Sequence, residues 1–487
     1  MSNIKKVFVL YPPGKTYQRG EDRCQIDVDF SVSNSIRACN DLGYVASVLK
    51  GNYDVLLKDY PAEKSDYGDF VQDFNSFMPD VVLISVTNGS IFGDIEFVKN
   101  IKRLKNDTVI ILKGALFFNL DKSLFDEIDL SNVDYLIGGE IEFIIGKLLL
   151  AHFGDKSQLK NIQGISYKDN GEWISNELTD FDENLDSLPF PDRFLMKNSL
   201  YLNPMTDRPM ATIATSKGCP SSCIYCLSPK ISGRKVRFRS PKSVFDEISD
   251  CVEKHNICDF FFKSDTFTIN KNWVIELCDL IINSPLRGKI FWVANSRVNT
   301  LDEELLKKMK LSGCEMIALG LESGSDESLR KMKKGTTVQQ NRDVVAMIKK
   351  VGLQIFGFYL IGFPWEDKKH LAETRKLMFE LDTDFIELSI VIPFKGSELY
   401  KMVFDSEETG KNVLGKDSFK NTMTDTNFLT QKELVDFRKQ TILAYHLRFK
   451  YIVRKLFSKK LTLHLLKNYA IYGFRILKNT FLNFKEK

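Results

Sequence analysis

Short apolar runs alternate along this chain with longer stretches in which apolar residues recur every three or four positions. The first run, residues 6–10, closes on Tyr11-Pro12-Pro13-Gly14 and reads as a buried parallel strand followed by a loop. Residues 34–42 read as a helix stopped by Gly43, with a strand over 45–49 after it. Further strands are expected over 80–86, 108–112 and 133–137, with helices around 70–77 and over 94–104. This alternation predicts an α/β fold with a parallel sheet, a doubly wound, Rossmann-like (flavodoxin-like) domain over residues 1–150. Ligands of such sheets bind beyond the carboxyl ends of the strands, here 12–14, 85–90, 113–115 and 138–140. No Gly-x-Gly-x-x-Gly follows the first strand, so a dinucleotide is not expected.

Residues 151–205 read as a connector: a hairpin over 163–173 that turns at Asn170-Gly171, then a Pro-stiffened extended stretch over 185–191. Within residues 206–400, strand-like runs at 211–215, 259–263, 290–294, 315–319, 354–360 and 385–391 alternate with helical patterns at 241–254, 271–282, 302–311, 338–351 and 368–381. Repeated βα units favour a parallel barrel or open sheet, with chemistry at the C-terminal ends of the strands. Residues 401–487 read as a helical region, with helices over 432–457 and 461–482.

At 487 residues the chain has room for two or three domains with cores of their own. The start, Met1-Ser2-Asn3-Ile4-Lys5-Lys6, runs into a strand and is not a secretory segment, so the nine cysteines are not expected to form a disulfide framework. No run of about 18 apolar residues is present, and a reducing cytoplasm is the expected setting. The net charge of +4 hides an asymmetry, since residues 431–487 hold 14 Lys and Arg against 3 Asp and Glu. The bland reading of that tail is a helical cap with a solvated basic side. The sharper one is peripheral contact with anionic lipid at the membrane's inner face. No RNA-binding module is seen, so nucleic acid is not an expected partner.

The chemistry is concentrated in Cys219-Pro220-Ser221-Ser222-Cys223-Ile224-Tyr225-Cys226, just after the 211–215 run. A four-ligand zinc site would need a further donor, and the next Cys or His downstream are Cys251 and His255. Three thiolates on a four-iron cluster leave one iron open to a chelating cosubstrate. The competing readings are a zinc knuckle or three unrelated thiols. Cys39, Cys251, Cys258, Cys278 and Cys314 read as small buried hydrophobes, and Cys24, in the loop after the first strand, as either that or a reactive thiol.

The spacing Cys-x3-Cys-x-Φ-Cys, with Tyr225 as the aromatic Φ, resembles the cluster loop of radical S-adenosylmethionine (SAM) enzymes. The resemblance implies a [4Fe–4S] cluster on Cys219, Cys223 and Cys226 that binds SAM and cleaves it reductively to a 5′-deoxyadenosyl radical. It also implies a (β/α)6 partial TIM barrel and an external electron donor such as flavodoxin or ferredoxin. The domain order, the Tyr-Pro-Pro ending of the first strand and Gly-Gly-Glu-x-Glu at 138–142 resemble the cobalamin-binding branch of that family. The loop over 17–25 resembles its tetrapyrrole-cyclase-like and hopanoid-biosynthesis-like members. Two departures stand out. An Asp-x-His-x-x-Gly motif is missing, and Lys113 stands where relatives often have glycine.

In that frame Ser85, Thr87, Gly114, Gly139 and Glu140 are candidate cobalamin contacts. For SAM, Asp265 is the candidate for the ammonium group, its bland reading being a helix N-cap region. Arg297 could fork onto a carboxylate or form a solvent salt bridge. Glu322, in Gly320-Leu321-Glu322-Ser323-Gly324-Ser325, could accept ribose hydroxyls, with Ser323 and Gly324 beside it. Gly362, in Gly-x-Pro, would lie near the adenine. The expected activity is functionalisation of an unactivated carbon in a small-molecule or lipid-like substrate, C-methylation first. Ring formation or rearrangement, methylthiolation, and a sensor or binding protein without turnover are the alternatives.

Overall fold

The structure, a computed structural model, describes residues 4–17, 36–118, 124, 127–404, 414–416, 425–457, 462, 465–471 and 473–474. Cys24, most of the 17–25 loop and much of the helix expected over 461–482 lie outside the described residues.

The first sheet contains β1 (Lys6–Tyr11), β2 (Asp54–Asp59), β3 (Val81–Ser85), β4 (Val109–Lys113), β5 (Tyr135–Ile137), β6 (Ile165–Asp169) and β7 (Glu172–Ser175). Its order is 2-1-3-4-5-6-7, and β1 to β5 are parallel, the flavodoxin-like arrangement. Alternate side chains of β1 and β3 enter opposite cores, since these strands are covered on both faces. Val7, Val9, Val81 and Leu83 pack with α1 (Asn40–Leu49) and, after α2 (Tyr67–Phe77) and α3 (Ile91–Leu104), with α4 (Ile141–Phe153). Phe8, Leu10, Val82 and Ile84 pack against α2 and α3. The hairpin β6–β7 turns at Asn170 (φ 51°) and Gly171 (φ 88°) and adds to β5 in antiparallel pairing, so it extends the first sheet.

One reading of the sequence is corrected. Residues 45–49 are helical, and the strand is Asp54–Asp59. Gly43 does not stop the helix. It lies within α1, where a Cβ would come within 2.8 Å of Met196 Sδ and 3.0 Å of Pro191 Cβ, so close packing of the 185–200 stretch accounts for the glycine.

The second sheet is parallel, in the order β8-β11-β12-β13-β14-β15. Its strands are β8 (Met210–Ala214), β11 (Asp259–Lys263), β12 (Phe291–Ser296), β13 (Cys314–Glu322), β14 (Gln354–Ile361) and β15 (Phe385–Ile390). A two-strand ribbon, β9 (Ser216–Lys217) and β10 (Arg237–Phe238), brackets the three-thiol loop. The helices between the strands are α5 (Pro241–His255), α6 (Lys271–Ile282), α7 (Glu303–Leu311), α8 (Val338–Val351) and α9 (Lys368–Leu381). With α10 (Gln431–His446) outside β15, they bury the outer face of the sheet in one core.

The helix expected over 432–457 is not continuous, and its basic side is not simply solvated. It breaks at the extended Arg448 before α11 (Phe449–Leu456). Arg448 and Arg454 reach Asp382 at 2.9 and 2.8 Å, and Lys455 lies 3.8 Å from Asp384 and 4.0 Å above the Phe385 ring. Three of its cations are therefore turned inward, while Phe449 and Phe457 are exposed. Asn468 donates to the carbonyl of Pro204, ahead of β8, so the tail runs from the start of β15 toward the start of β8. No helix of the described residues is long and apolar enough to cross a membrane.

Asp382 caps α9 in the left-handed region (φ 41°) and faces both guanidinium groups. Asp382→Ala should cost about 2 kcal/mol by stranding those cations. A lowered urea midpoint, with earlier proteolysis of the tail, checks it.

Candidate active site

The two sheets turn their carboxyl ends toward one cleft of about 1140 Å³, open mouth included. The first domain supplies Asp41, Lys113, Gly114, Gly139 and Glu140 to its wall, and the second supplies Thr212, Lys217, Lys263, Asp265 and Asn295. Gly138 has a structural reason to be glycine, because a Cβ there would strike the backbone of Phe117 and Phe118.

At the β1/β3 crossover, where such sheets bind ligands, Asp41 gathers hydroxyls from both strands. Tyr11 and Ser85 donate to its two oxygens, and Lys113 Nζ lies 3.7 Å away. Burial would raise the Asp41 carboxyl, but Lys113 and the two hydroxyls outweigh it and hold the group below its ordinary range. Ser85 is off the cleft wall and reaches Asp41, which is on it. Thr87 is buried and engaged with Ser90. Gly114 and Gly139 are on the wall. Glu140 is there too, but its carboxylate is taken up by both Nη atoms of Arg237, at 3.0 and 2.6 Å. Lys217 pairs with Glu142 beside it. Among the cleft's described lining residues there is no His.

The three-thiol loop leaves β9 through Gly218 (φ 91°), where a Cβ would strike the Lys235 carbonyl. Cys219 N donates to Gly233 O at 3.0 Å, and Cys226 N to Cys223 O at 3.2 Å. Ile224 anchors the loop in a small core with Met332, Phe363, Trp365, Val391 and Leu399. Its N–H donates to Met332 O, and its carbonyl accepts from Leu399 N. Cys219 is buried, while Cys223 and Cys226 are half-buried. Arg297 Nη1 points at Cys223 Sγ at 3.6 Å, and Ser228 Oγ lies 3.4 Å from Cys226 Sγ. The Arg297 guanidinium stabilises a thiolate at Cys223, the form that ligates iron, whereas the Cys226 thiol donates to Ser228 Oγ. Among the described residues no three or more His, Cys, Asp or Glu side chains gather as the ligands of a single ion do. A four-iron cluster, taking one thiolate on each of three irons, asks for a wider spacing.

Lys334 was not singled out from the sequence, and it ties this loop to the fourth strand of the second sheet. Its ammonium is buried against Glu322 at 2.6 Å, and its carbonyl accepts from Arg297 Nη2. The Tyr225 phenol donates to Glu322, and burial together with the Glu322 charge raises its pKa well above the usual range. Glu322 sits at a bulge in β13 with φ 59°, a left-handed conformation that is strained for a side chain of its size. A lysine in a Lys-Lys-Gly loop looks solvated in sequence, so only the tertiary contact reveals it.

The other candidates divide. Asp265 lies on the cleft wall. Arg297 serves the thiol loop. Ser323 and Gly324 face α9, through Thr374 Oγ1 at 3.1 and 3.0 Å, and hold the turn. Gly362 packs toward Ile390 and Leu434, and its N–H donates to Glu366. Cys39, Cys251, Cys278 and Cys314 are buried, and burial pushes the Cys251 and Cys278 thiols up to about 12.

Residues 213–378 match the family model described as the radical SAM superfamily, so this part of the chain is a radical SAM domain. An uncharacterized methyltransferase of Pyrococcus horikoshii is 29% identical over 417 residues, 86% of this chain and 89% of that protein. The cobalamin-dependent SAM radical enzyme OxsB, solved with aqua-cobalamin and SAM bound, superposes with a TM-score of 0.71 at 16% identity, over 99% of this chain and 72% of that one. The radical SAM methyltransferase TsrM of Kitasatospora setae, solved with cobalamin and a [4Fe–4S] cluster, gives 0.66 at 17%, over 82% and 78%. At such identities these two likenesses are of fold.

Two outcomes are expected. Lys334→Met leaves Glu322 buried without its cation and should cost about 3 kcal/mol in urea unfolding. Adding Glu322→Gln should recover a good part of that loss. Glu366 is fully buried, and burial pushes its carboxyl up to about 7, although Phe363 N, Gly362 N and Ser328 pull it down. The folded state therefore binds the proton more tightly than an unfolded glutamate titrating near about 4.3. Its contribution to stability is full below that value, is lost as pH rises through about 7, and is level above it. Glu366→Gln keeps an acceptor for the two backbone N–H groups and should flatten this slope in unfolding measured between about pH 5 and 8.

Proposed function

We propose that this chain is a cobalamin-dependent radical SAM enzyme that functionalises an unactivated carbon, with C-methylation as its reaction. The observation that carries the reading is the cleft lined by the carboxyl ends of both sheets, with Ser216 and Lys217, which lead into the three-thiol loop, and Ile231 and Ser232, which follow it, on its wall. The radical SAM domain and the named methyltransferase relative support it.

When bound, the cluster and cobalamin supply the electron that cleaves SAM and the methyl group that is transferred; the chain's residues place and shield them. Cys219, Cys223 and Cys226 hold the cluster, and Arg297 fixes Cys223 by its guanidinium. Glu322, braced by Lys334 and Tyr225, presents an acceptor for ribose hydroxyls, and Asp265 is the acid for the SAM ammonium. Gly114 and Gly139, which pack closely on Val86 and on Ile144, would line the first sheet's side of a cobalamin site together with Lys113 and Asp41. Ser85 supports Asp41 from behind, the Arg237-bound Glu140 would shape the wall rather than contact the cofactor, and Thr87 lies buried off the wall against Ser90. Reductive cleavage of SAM and the restoration of cobalamin after a methyl transfer would each consume one electron, so two per methylation would come from a small carrier such as a flavodoxin or ferredoxin, with a second SAM as the methyl source. The cytoplasm suits this chemistry. Inward pairing of Arg448, Arg454 and Lys455 favours the tail as a cap over membrane contact.

Anaerobic purification with added cobalamin should give about four iron and four sulfide with about one cobalt per chain. Cys223→Ala should lose the cluster's visible absorbance and all 5′-deoxyadenosine formation. Retained SAM cleavage in that variant would overturn the assignment, and iron without cobalt would remove cobalamin from it.

A further inference from the structure

The three-thiol loop is held by its backbone from three sides, and each holding segment turns cations outward. Cys219 N donates to Gly233 O, and Gly233 is followed by Arg234 and Lys235. Ile224 N donates to Met332 O, and Met332 stands between Lys331 and Lys333. Ile224 O accepts from Leu399 N in the short helix Glu398–Val403, which carries Lys401. These five cationic residues are exposed, and so are Pro220 and Ser222 within the loop. Pro220 adjoins Cys219 and Ser222 adjoins Cys223, so the loop shows solvent an edge one residue from two of its thiols.

Arg234 lies across this edge, with its Nη1 3.4 Å from Ser222 Oγ, and no acid pairs with it among the described residues. Lys235 pairs with Glu183, Lys331 with Glu327 and Lys333 with Glu398. Both sides of each pair are exposed, so these pairs are weak and can exchange partners. Five cations against three acids leave the rim of the loop positive. Outside residues 431–487 the chain holds more acids than bases, so this excess is local. Electron transfer falls off steeply with distance, and a carrier works best where the cover is thinnest.

We propose that this rim is the docking face for the electron carrier of the reaction assigned above, a small protein whose cofactor sits at an acidic edge. The inference rests on that reading and names where its reductant binds. In the docked pair one electron passes from the carrier's reduced cofactor to the oxidised cluster. No bond forms or breaks, and the carrier leaves oxidised by one electron. Two such visits serve one methylation. Exposed charges steer and orient the partners more than they hold them, which suits a carrier that must also leave. Weak redox encounters bury less than about 1,200 Å² in all, a footprint that fits the loop edge and its flanks.

The test uses the full chain loaded with its cluster and a flavodoxin of net negative charge, reduced to the hydroquinone. Stopped-flow absorbance of flavin and cluster gives the second-order rate constant. For the parent chain it should fall as salt rises from about 20 to about 300 mM. Arg234→Glu with Lys333→Gln should slow it about tenfold at low salt and flatten the salt dependence. Arg287→Glu with Lys289→Gln makes the same change in net charge at exposed positions ahead of β12, at the other end of the barrel. That variant should stay within about twofold of the parent. The photoreduced 5-deazariboflavin radical, small and uncharged, should reduce the cluster equally in all three chains. A flavodoxin rate that ignores the Arg234 and Lys333 changes, a distal variant slowed as much, or a parent rate indifferent to salt overturns the docking face. So does a parent that flavodoxin fails to reduce, or an equal slowing with the deazaflavin radical, which traces the effect to the cluster itself. SAM cleavage driven by the deazaflavin radical separates the two readings. Cleavage with an insensitive flavodoxin rate sinks the docking face alone, whereas a chain that neither takes up a cluster nor cleaves SAM sinks the reaction and the face with it.

Discussion

Everything at the cleft depends on the buried ion pairs that hold two sheets mouth to mouth. Arg237 grips Glu140 with both Nη atoms while its Nε has no partner among the described residues, and Lys217 pairs with Glu142. Taking such charges out of water costs several kcal/mol per ion, and well-packed apolar residues would often do as well for stability. What apolar packing does not supply is a single orientation. A bidentate guanidinium accepts one approach of the carboxylate. Because Lys217 is two residues before Cys219, and Glu140 and Glu142 flank the start of α4, the pairs fix the thiol loop relative to the end of the first sheet. A reaction between groups held by separate domains requires that constancy, since small misplacements of reacting groups are costly.

Much of the fold could be read in advance because parallel strands buried on both faces appear as uninterrupted apolar runs. All six strands of the second sheet fall within a few residues of their expected places. The errors share a cause. Residues 45–49 form an apolar run too, but they are the core side of a helix, and the glycine before them serves packing rather than termination. The true strand, Asp54-Val55-Leu56-Leu57-Lys58-Asp59, carries charge at both ends because it is the sheet's edge. The 163–173 hairpin was visible from Asn170-Gly171, but its attachment to β5 is tertiary and leaves no local mark.

The site was legible where chemistry demands spacing and illegible where it demands a partner. Three thiols within eight residues announce themselves. Glu140 looked like a ligand contact and is an ion-pair partner. Arg297 looked like a carboxylate clamp and faces a thiol. Lys334 looked like surface. Glu387 did leave a trace, an acid in the alternating run Phe385-Ile386-Glu387-Leu388-Ser389-Ile390, where a strand of a parallel barrel is buried on both faces. The tail's charge asymmetry was real, but part of it is answered within the chain by Asp382 and Asp384 rather than by an outside surface.

Three buried glutamates near the barrel's working end show how partners divide one chemistry into different roles. Glu322 has a lysine ammonium and a phenol, so its charge is balanced and its strained backbone is held. Glu366 has two backbone N–H groups and the Ser328 hydroxyl, which fix the turn after β14 but supply no full charge, so its carboxyl rises. Glu387 has the pull of Arg438 on its charge and, among the described residues, an Oε1 without a hydrogen-bond donor. The first arrangement suits a group that must keep one orientation beside a cation, and the second a group that must stay still. The third is costly for the protein alone, because a buried acceptor without a donor loses the hydrogen bonds that water gave it.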